Sequence, residues 1–124
     1  MKTQVKELEN QKVIEFDLVE AYKELLIKAE GYERGFCPVY ANIVNNELVL
    51  ELGDPISSFS FLLTQNWVGY IECWKFNGTA EDYKDRNEII KSLVSDYVAK
   101  FDFSEIAANI KDYCKIKGFD VRFI

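Results

Sequence analysis

The stretch GFCPVYANIVNNELVLELGDPISSFSFLLTQNWVGYIECW, residues 35–74, decides how this chain reads. Within it Leu48, Leu50 and Leu52 alternate with Glu47, Val49 and Glu51, which is the period of a strand with one buried face. Asn45-Asn46 tolerates the positive φ of a two-residue hairpin turn, so 38–44 and 47–52 are expected to pair antiparallel. Gly53-Asp54-Pro55 breaks the ladder. Alternation resumes over 56–64, with Phe59, Phe61 and Leu63 against Ser58, Ser60 and Leu62, and predicts another strand. The segment 67–76 predicts the longest one, apolar on both faces and therefore central in the sheet or covered on its second face.

The same forty residues contain no Lys or Arg, yet carry Glu47, Glu51, Asp54 and Glu72 and seven aromatic side chains. Residues 1–34 hold eight acids and six bases, and residues 75–124 hold nine of each. The net charge of −6 is thus mostly a property of the predicted sheet. A local field of one sign bears on partners, whereas dispersed charge bears only on solubility.

Residues 1–11 show no period and are expected to form a loosely held lead-in. A short strand is expected at 12–16. Asp17 with Glu20 has capping-box spacing and opens a helix through Leu18, Tyr22, Leu25, Leu26, Ala29 and Tyr32, ending between Gly31 and Gly35. After the sheet, Asn77-Gly78 turns the chain, and Thr79 with Asp82 starts a helix over 80–100. Its expected inner stripe is Tyr83, Ile90, Leu93, Val94, Tyr97, Val98 and Phe101. Asp102 with Glu105 begins a third helix, which Gly118 closes, and Phe119, Val121 and Phe123 alternate as a last edge strand that would pair with 12–16. The sum is an α+β fold in one domain over 1–124, an antiparallel sheet of four to six strands with three helices mainly on one face, in the order β-α-β-β-β-β-α-α-β.

Length and composition fit a folded domain: 124 residues can bury a core unaided, and nine Phe, seven Tyr and two Trp are unlike a disordered chain. No apolar run approaches the ~20 residues of a membrane span and the first residues lack an apolar targeting core, so a cytoplasmic protein with no membrane role is expected. Three widely spaced cysteines, Cys37, Cys73 and Cys114, read as reduced core residues. Asn77-Gly78-Thr79 matches a glycosylation sequon but is better read as a turn and cap.

The absence of histidine removes the Ser-His-Asp and Cys-His arrangements and the H-E-x-x-H zinc helix. Scattered glycines form no phosphate-cradling loop. No Ca-loop spacing is present, and a glycosidase-type carboxylate pair is permitted by neighbouring strands without being indicated. Three arginines and a pI of about 4.7 leave no basic stripe for phosphates, so direct nucleic-acid binding is not expected. The acids Glu81, Asp82, Asp85 and Glu88 have an ordinary role at a helix N-terminus, with Lys84, Arg86 and Lys91 close by.

What folding leaves unexplained is the acidic, aromatic sheet. Tyr70, Trp74 and Phe76 fall on one strand face, and aromatics with polar tips are enriched at interfaces, although large aromatics are more often core. The expectation is a non-enzymatic protein-binding module without metal or cofactor, an inhibitor or neutraliser of a basic partner such as a nuclease or another nucleic-acid-binding enzyme. Its surface would comprise Glu47, Glu51, Asp54, Tyr70, Glu72, Trp74 and Phe76. Immunity proteins of toxins and phage-encoded anti-defence inhibitors share this size and charge, an analogy of class alone. A chaperone-like or structural homodimer burying the same face is the alternative binding role. A His-independent enzyme or ligand carrier is the alternative of another class, with Cys37 as its candidate nucleophile.

Overall fold

A computed structural model describes residues 12–124 and, for Phe61, the backbone alone; the expectation for residues 1–11 lies outside the described residues. The chain is α+β. In order it forms β1 (Lys12–Phe16), α1 (Leu18–Ala29), β2 (Phe36–Val44), β3 (Glu47–Leu52), β4 (Trp67–Glu72), α2 (Arg86–Ala99), α3 (Ser104–Ile116) and β5 (Phe119–Phe123).

Asn45 and Asn46 take φ of 52° and 66°, so the β2–β3 hairpin closes with Val44 opposite Glu47. β2 is the central strand of a three-stranded antiparallel sheet in the order β3-β2-β4. The four-strand meander with a central 67–76 is therefore corrected: β4 is an edge strand and ends at Glu72. Its ladder runs one residue further, where the Cys73 amide donates to the Gly35 carbonyl (3.0 Å). The end of α1 then claims Trp74, whose carbonyl accepts from the Gly31 amide (2.9 Å) and whose indole Nε1 donates to the Leu26 carbonyl (2.8 Å).

The segment 56–64 is not a strand, because only its first residue, Ile56, finds a backbone to pair with. Beyond the end of β3, the Gly53 amide donates to the Pro38 carbonyl (2.8 Å), and Ile56 exchanges two backbone hydrogen bonds with Phe36 (2.9 and 3.2 Å). Phe36 is the first residue of β2 and Gly35 turns away at φ +86°, so the ladder is exhausted. The chain closes a 3-10 turn at Ser60–Leu63 and crosses from the β3 edge to the β4 edge. It re-enters the sheet through Asn66, whose carbonyl accepts from the Ala41 amide (2.9 Å).

α1 begins as expected, with the Glu20 amide donating to the Asp17 carboxylate (3.1 Å). The Thr79–Asp82 box also forms reciprocally, Thr79 amide to Asp82 (2.8 Å) and Asp82 amide to Thr79 Oγ1 (3.3 Å). It opens a 3-10 turn, Asp82–Asp85, where Tyr83 packs edge-on against Phe76, and the α-helix starts only at Arg86. Arg86 forms an ion pair with Glu30, whose side chain is 5% exposed, tying α2 to the end of α1. Lys84–Glu81 and Lys91–Glu88 pair along the helix (3.5 and 3.9 Å). The inner stripe of α2 is narrower than predicted: Ile90, Val94 and Val98 are buried, whereas Tyr83, Leu93 and Tyr97 are exposed.

At the next helix the predicted Asp102–Glu105 box gives way to a closer donor. Asp102 accepts from the Ser104 amide (3.0 Å) and hydroxyl (2.6 Å), which hold its carboxyl below the usual range, and Phe103 takes the cap position. Gly118, at φ +88°, ends α3 with its amide on the Lys115 carbonyl (3.0 Å).

β5 does pair with β1, in parallel, but as a separate two-stranded ribbon and not as an edge of the main sheet. Ile14 opposite Val121 and Phe16 opposite Phe123 turn inward, while Glu15 and Arg122 pair outward (3.8 Å). The ribbon thereby plugs one end of the core. α1 and α3 pack on the sheet, α2 packs on α1, and Tyr22 stacks on Phe101 (4.7 Å) and meets Phe103 edge-on (5.2 Å).

Candidate functional site

Strand register sorts the sheet into two sides. Cys37, Val39 and Ala41 of β2 share a side with Leu48, Leu50 and Leu52 of β3 and with Gly69 and Ile71 of β4. Cys37, Val39, Ala41, Leu48 and Ile71 are buried there, and a Cβ on Gly69 would lie 3.1 Å from Ile106 of α3. This is the helix side. The opposite, open side carries Phe36, Pro38, Tyr40, Val44, Glu47, Val49, Glu51, Tyr70 and Glu72.

Four of the residues singled out from sequence therefore lie on one side, since Glu47, Glu51, Tyr70 and Glu72 are all exposed on the open side. Asp54, also exposed, joins them from the turn after β3, where it lines a hollow with Pro38 and Tyr40. Trp74 and Phe76 do not share that face. Trp74 is half-buried against α1, and Phe76 is 5% exposed in the core. The strand ends before reaching them, so the alternation that placed them beside Tyr70 no longer applies.

The crossover passes over the open side. Phe59 stacks on Phe36 (5.2 Å between centroids), and Phe36 touches Tyr70 (5.6 Å), making an aromatic row that spans β2 and β4. Phe59 remains 62% exposed, Leu62 49% and Leu63 88%, and Val44, Val49 and Tyr70 are exposed on the same side of the sheet. The site is thus an apolar ridge flanked by Glu47, Glu51, Asp54 and Glu72, without a base in residues 35–74. Leu62 and Leu63 were missed as site residues. Their signal was Leu62 itself, an apolar residue on the face otherwise formed by Ser58 and Ser60.

A cleft of about 450 Å³ opens along the free edge of β4, between Tyr70 and Glu72 on one side and Tyr97, Phe101 and Glu105 on the other. Burial, then Tyr97, raises the Tyr22 hydroxyl beneath it; burial, then Glu72, raises that of Tyr97. Both phenols remain neutral donors at physiological pH. Cys37 is fully enclosed, and burial together with the adjacent Cys73 thiol pushes it up to about 12. Enclosed and held in its protonated form, this thiol is a poor nucleophile near neutrality.

Among the described residues no cluster of three His, Cys, Asp or Glu could hold a metal ion, and no helix is long and apolar enough to cross a membrane. No family model matches the sequence, and neither a curated protein nor a solved structure matches it.

Proposed function

We propose that this chain is a small protein-binding module, an inhibitor or neutraliser that docks its open side on a basic partner protein. The observation that carries the reading is the crossover ridge: Phe59, Leu62 and Leu63 stand exposed in a stretch, 35–74, that holds no Lys or Arg and supplies the exposed acids Glu47, Glu51, Asp54 and Glu72. Contiguous exposed apolar side chains with a charged rim are what interfaces retain and free surfaces avoid. The acids would steer a cationic surface inward, and the ridge would then exclude water from it. A partner that itself binds nucleic acid offers such a surface, and covering it would block its function. Immunity-type and anti-defence inhibitors belong to this class of action by analogy.

The test is capture of a host partner on immobilised protein at low and high salt, repeated with the double reversal Glu51→Lys, Asp54→Lys and with Leu63→Glu. Retention that weakens with salt and is lost in both variants, with unchanged circular dichroism, supports the reading. Retention indifferent to salt and to both variants defeats it.

A further inference from the structure

The backbone along the free edge of β4 is partnered at both ends and open in the middle. The Cys73–Gly35 bond fixes which pairs are hydrogen-bonded, so Ile71 and Gly69 bond inward to Cys37 and Val39, while the polar groups of Tyr70 and Glu72 point away from β2. Phe36 and Pro38 agree, because their backbone groups bond to Ile56 and Gly53 on the other side of β2. Along the outer edge, the Val68 carbonyl accepts from Asn109 Nδ2 (3.0 Å) and the Trp74 carbonyl from the Gly31 amide (2.9 Å). Between them the N–H and C=O groups of Tyr70 and Glu72 have no protein partner among the described residues and face the 450 Å³ cleft.

We infer that this gap receives an extended segment of the basic partner, which adds to the sheet as a strand beside β4; the inference rests on the docking reading above for the partner's charge. Four backbone groups at strand spacing supply the hydrogen-bonding template of strand addition. The charged residues lining the cleft are Glu72, Asp102 and Glu105, with no Lys or Arg among them, so a Lys or Arg of the incoming segment meets only acids. An apolar hollow of about 300 Å³, lined by Leu26, Trp74, Leu93 and Val94, adjoins the cleft through Glu72 and Tyr97. It takes the apolar side chain that alternates with the basic one. Leu93 and Tyr97, expected on the inner stripe of α2, are exposed and line these hollows.

The probes are an alternating Lys-Val peptide, its Glu-Val counterpart, and a Lys-Val peptide N-methylated at alternate residues, each added to the full chain at low salt. Amide spectra and hydrogen exchange are read at Tyr70, Glu72 and the crossover. The Lys-Val peptide is expected to bind and to slow exchange at Tyr70 and Glu72, the other two peptides to do neither, and Glu72→Lys to weaken binding by roughly tenfold, the order of one close charge pair. Equal binding of the N-methylated peptide overturns strand addition. Binding that shifts only Glu47, Glu51 and Leu63 also overturns it while leaving the docking reading standing. Failure of the Lys-Val peptide to bind at millimolar concentration overturns the inference, and capture of a partner through the ridge still decides the docking reading separately. Concentration-dependent protection of Tyr70 and Glu72 without any peptide assigns the edge to a second copy and likewise overturns it.

Discussion

The two sides of the three-stranded sheet are made by the same strands in the same register, yet they meet opposite surroundings. On the helix side Val39, Ala41 and Ile71 lie sealed beneath α1 and α3; on the open side Phe36, Pro38 and Tyr40 meet a crossover that leaves its own Phe59 and Leu63 in solvent. The difference follows from connectivity. β3 and β4 flank β2, so the segment joining them must cross one side, and the helices already occupy the other. That connection turns Phe59, Leu62 and Leu63 into solvent and closes no second core with them. The helix side accordingly stabilises the fold, whereas the open side keeps Val44, Val49 and Tyr70 in solvent.

The sharpest way to break this division is to cut into the helix side. Ile110 of α3 is fully enclosed, and Ile110→Ala should cost about 3 kcal/mol through lost burial and the cavity left behind, read from the midpoint of urea unfolding. A loss under about 1 kcal/mol would mean that α3 is not sealed against the sheet. The next effect concerns charge. Arg86→Met strands the enclosed carboxylate of Glu30 and should cost about 2 kcal/mol, less than a fully buried pair because the Arg86 side chain is 40% exposed. Removing Lys75, which pairs with Glu33 in the open (3.0 Å), should leave unfolding essentially unchanged. Equal effects of the two changes would erase the contrast between enclosed and exposed charge.

Alkaline pH probes the same contrast through the thiols. Burial raises Cys37 to about 12 and Cys114 to about 11 from an ordinary value near 9.0, so the unfolded chain loses these protons first. Their contribution is complete below pH 9 and is lost as pH rises towards 11 and 12, where stability must fall. Cys37→Ala and Cys114→Ala should each flatten that decline relative to the parent protein, as measured by urea unfolding at several pH values. A decline equally steep in both variants would show that the thiols are not sealed in the core.

What was legible in the sequence was what local chemistry decides. Asn45-Asn46 closes the predicted hairpin, Asp17 caps the predicted start of α1, the Thr79–Asp82 box forms although it opens a 3-10 turn ahead of α2, Gly118 ends α3, and alternation along β3 and β4 places Glu47, Glu51, Tyr70 and Glu72 on one side. What was not legible depends on a distant partner. The alternation of 56–64 is a true strand pattern, but β2 starts at Phe36 and pairs with only Ile56 of that segment. Trp74 leaves the sheet because α1 ends at the right height to accept its indole N–H, a relation that no spacing encodes. Aspartate 102 shows the same limit at short range, since Ser104 outcompetes the donors of the expected cap.

The smallest expected effect is the one that decides whether the ridge is free to bind. Leu63 is 88% exposed, the extreme among the large apolar side chains of the described residues, and its backbone lies in a 3-10 turn outside the sheet. Replacing it by Ser removes almost no contact, so Leu63→Ser should change stability by under about 0.5 kcal/mol in urea. It should also raise solubility, since an apolar side chain without protein neighbours favours association. A loss above about 1 kcal/mol would mean that Leu63 packs against the open side in solution, and the ridge would then be a lid on the sheet with nothing left to offer a partner. A neutral change in stability together with lost partner capture would separate recognition from folding at a single residue.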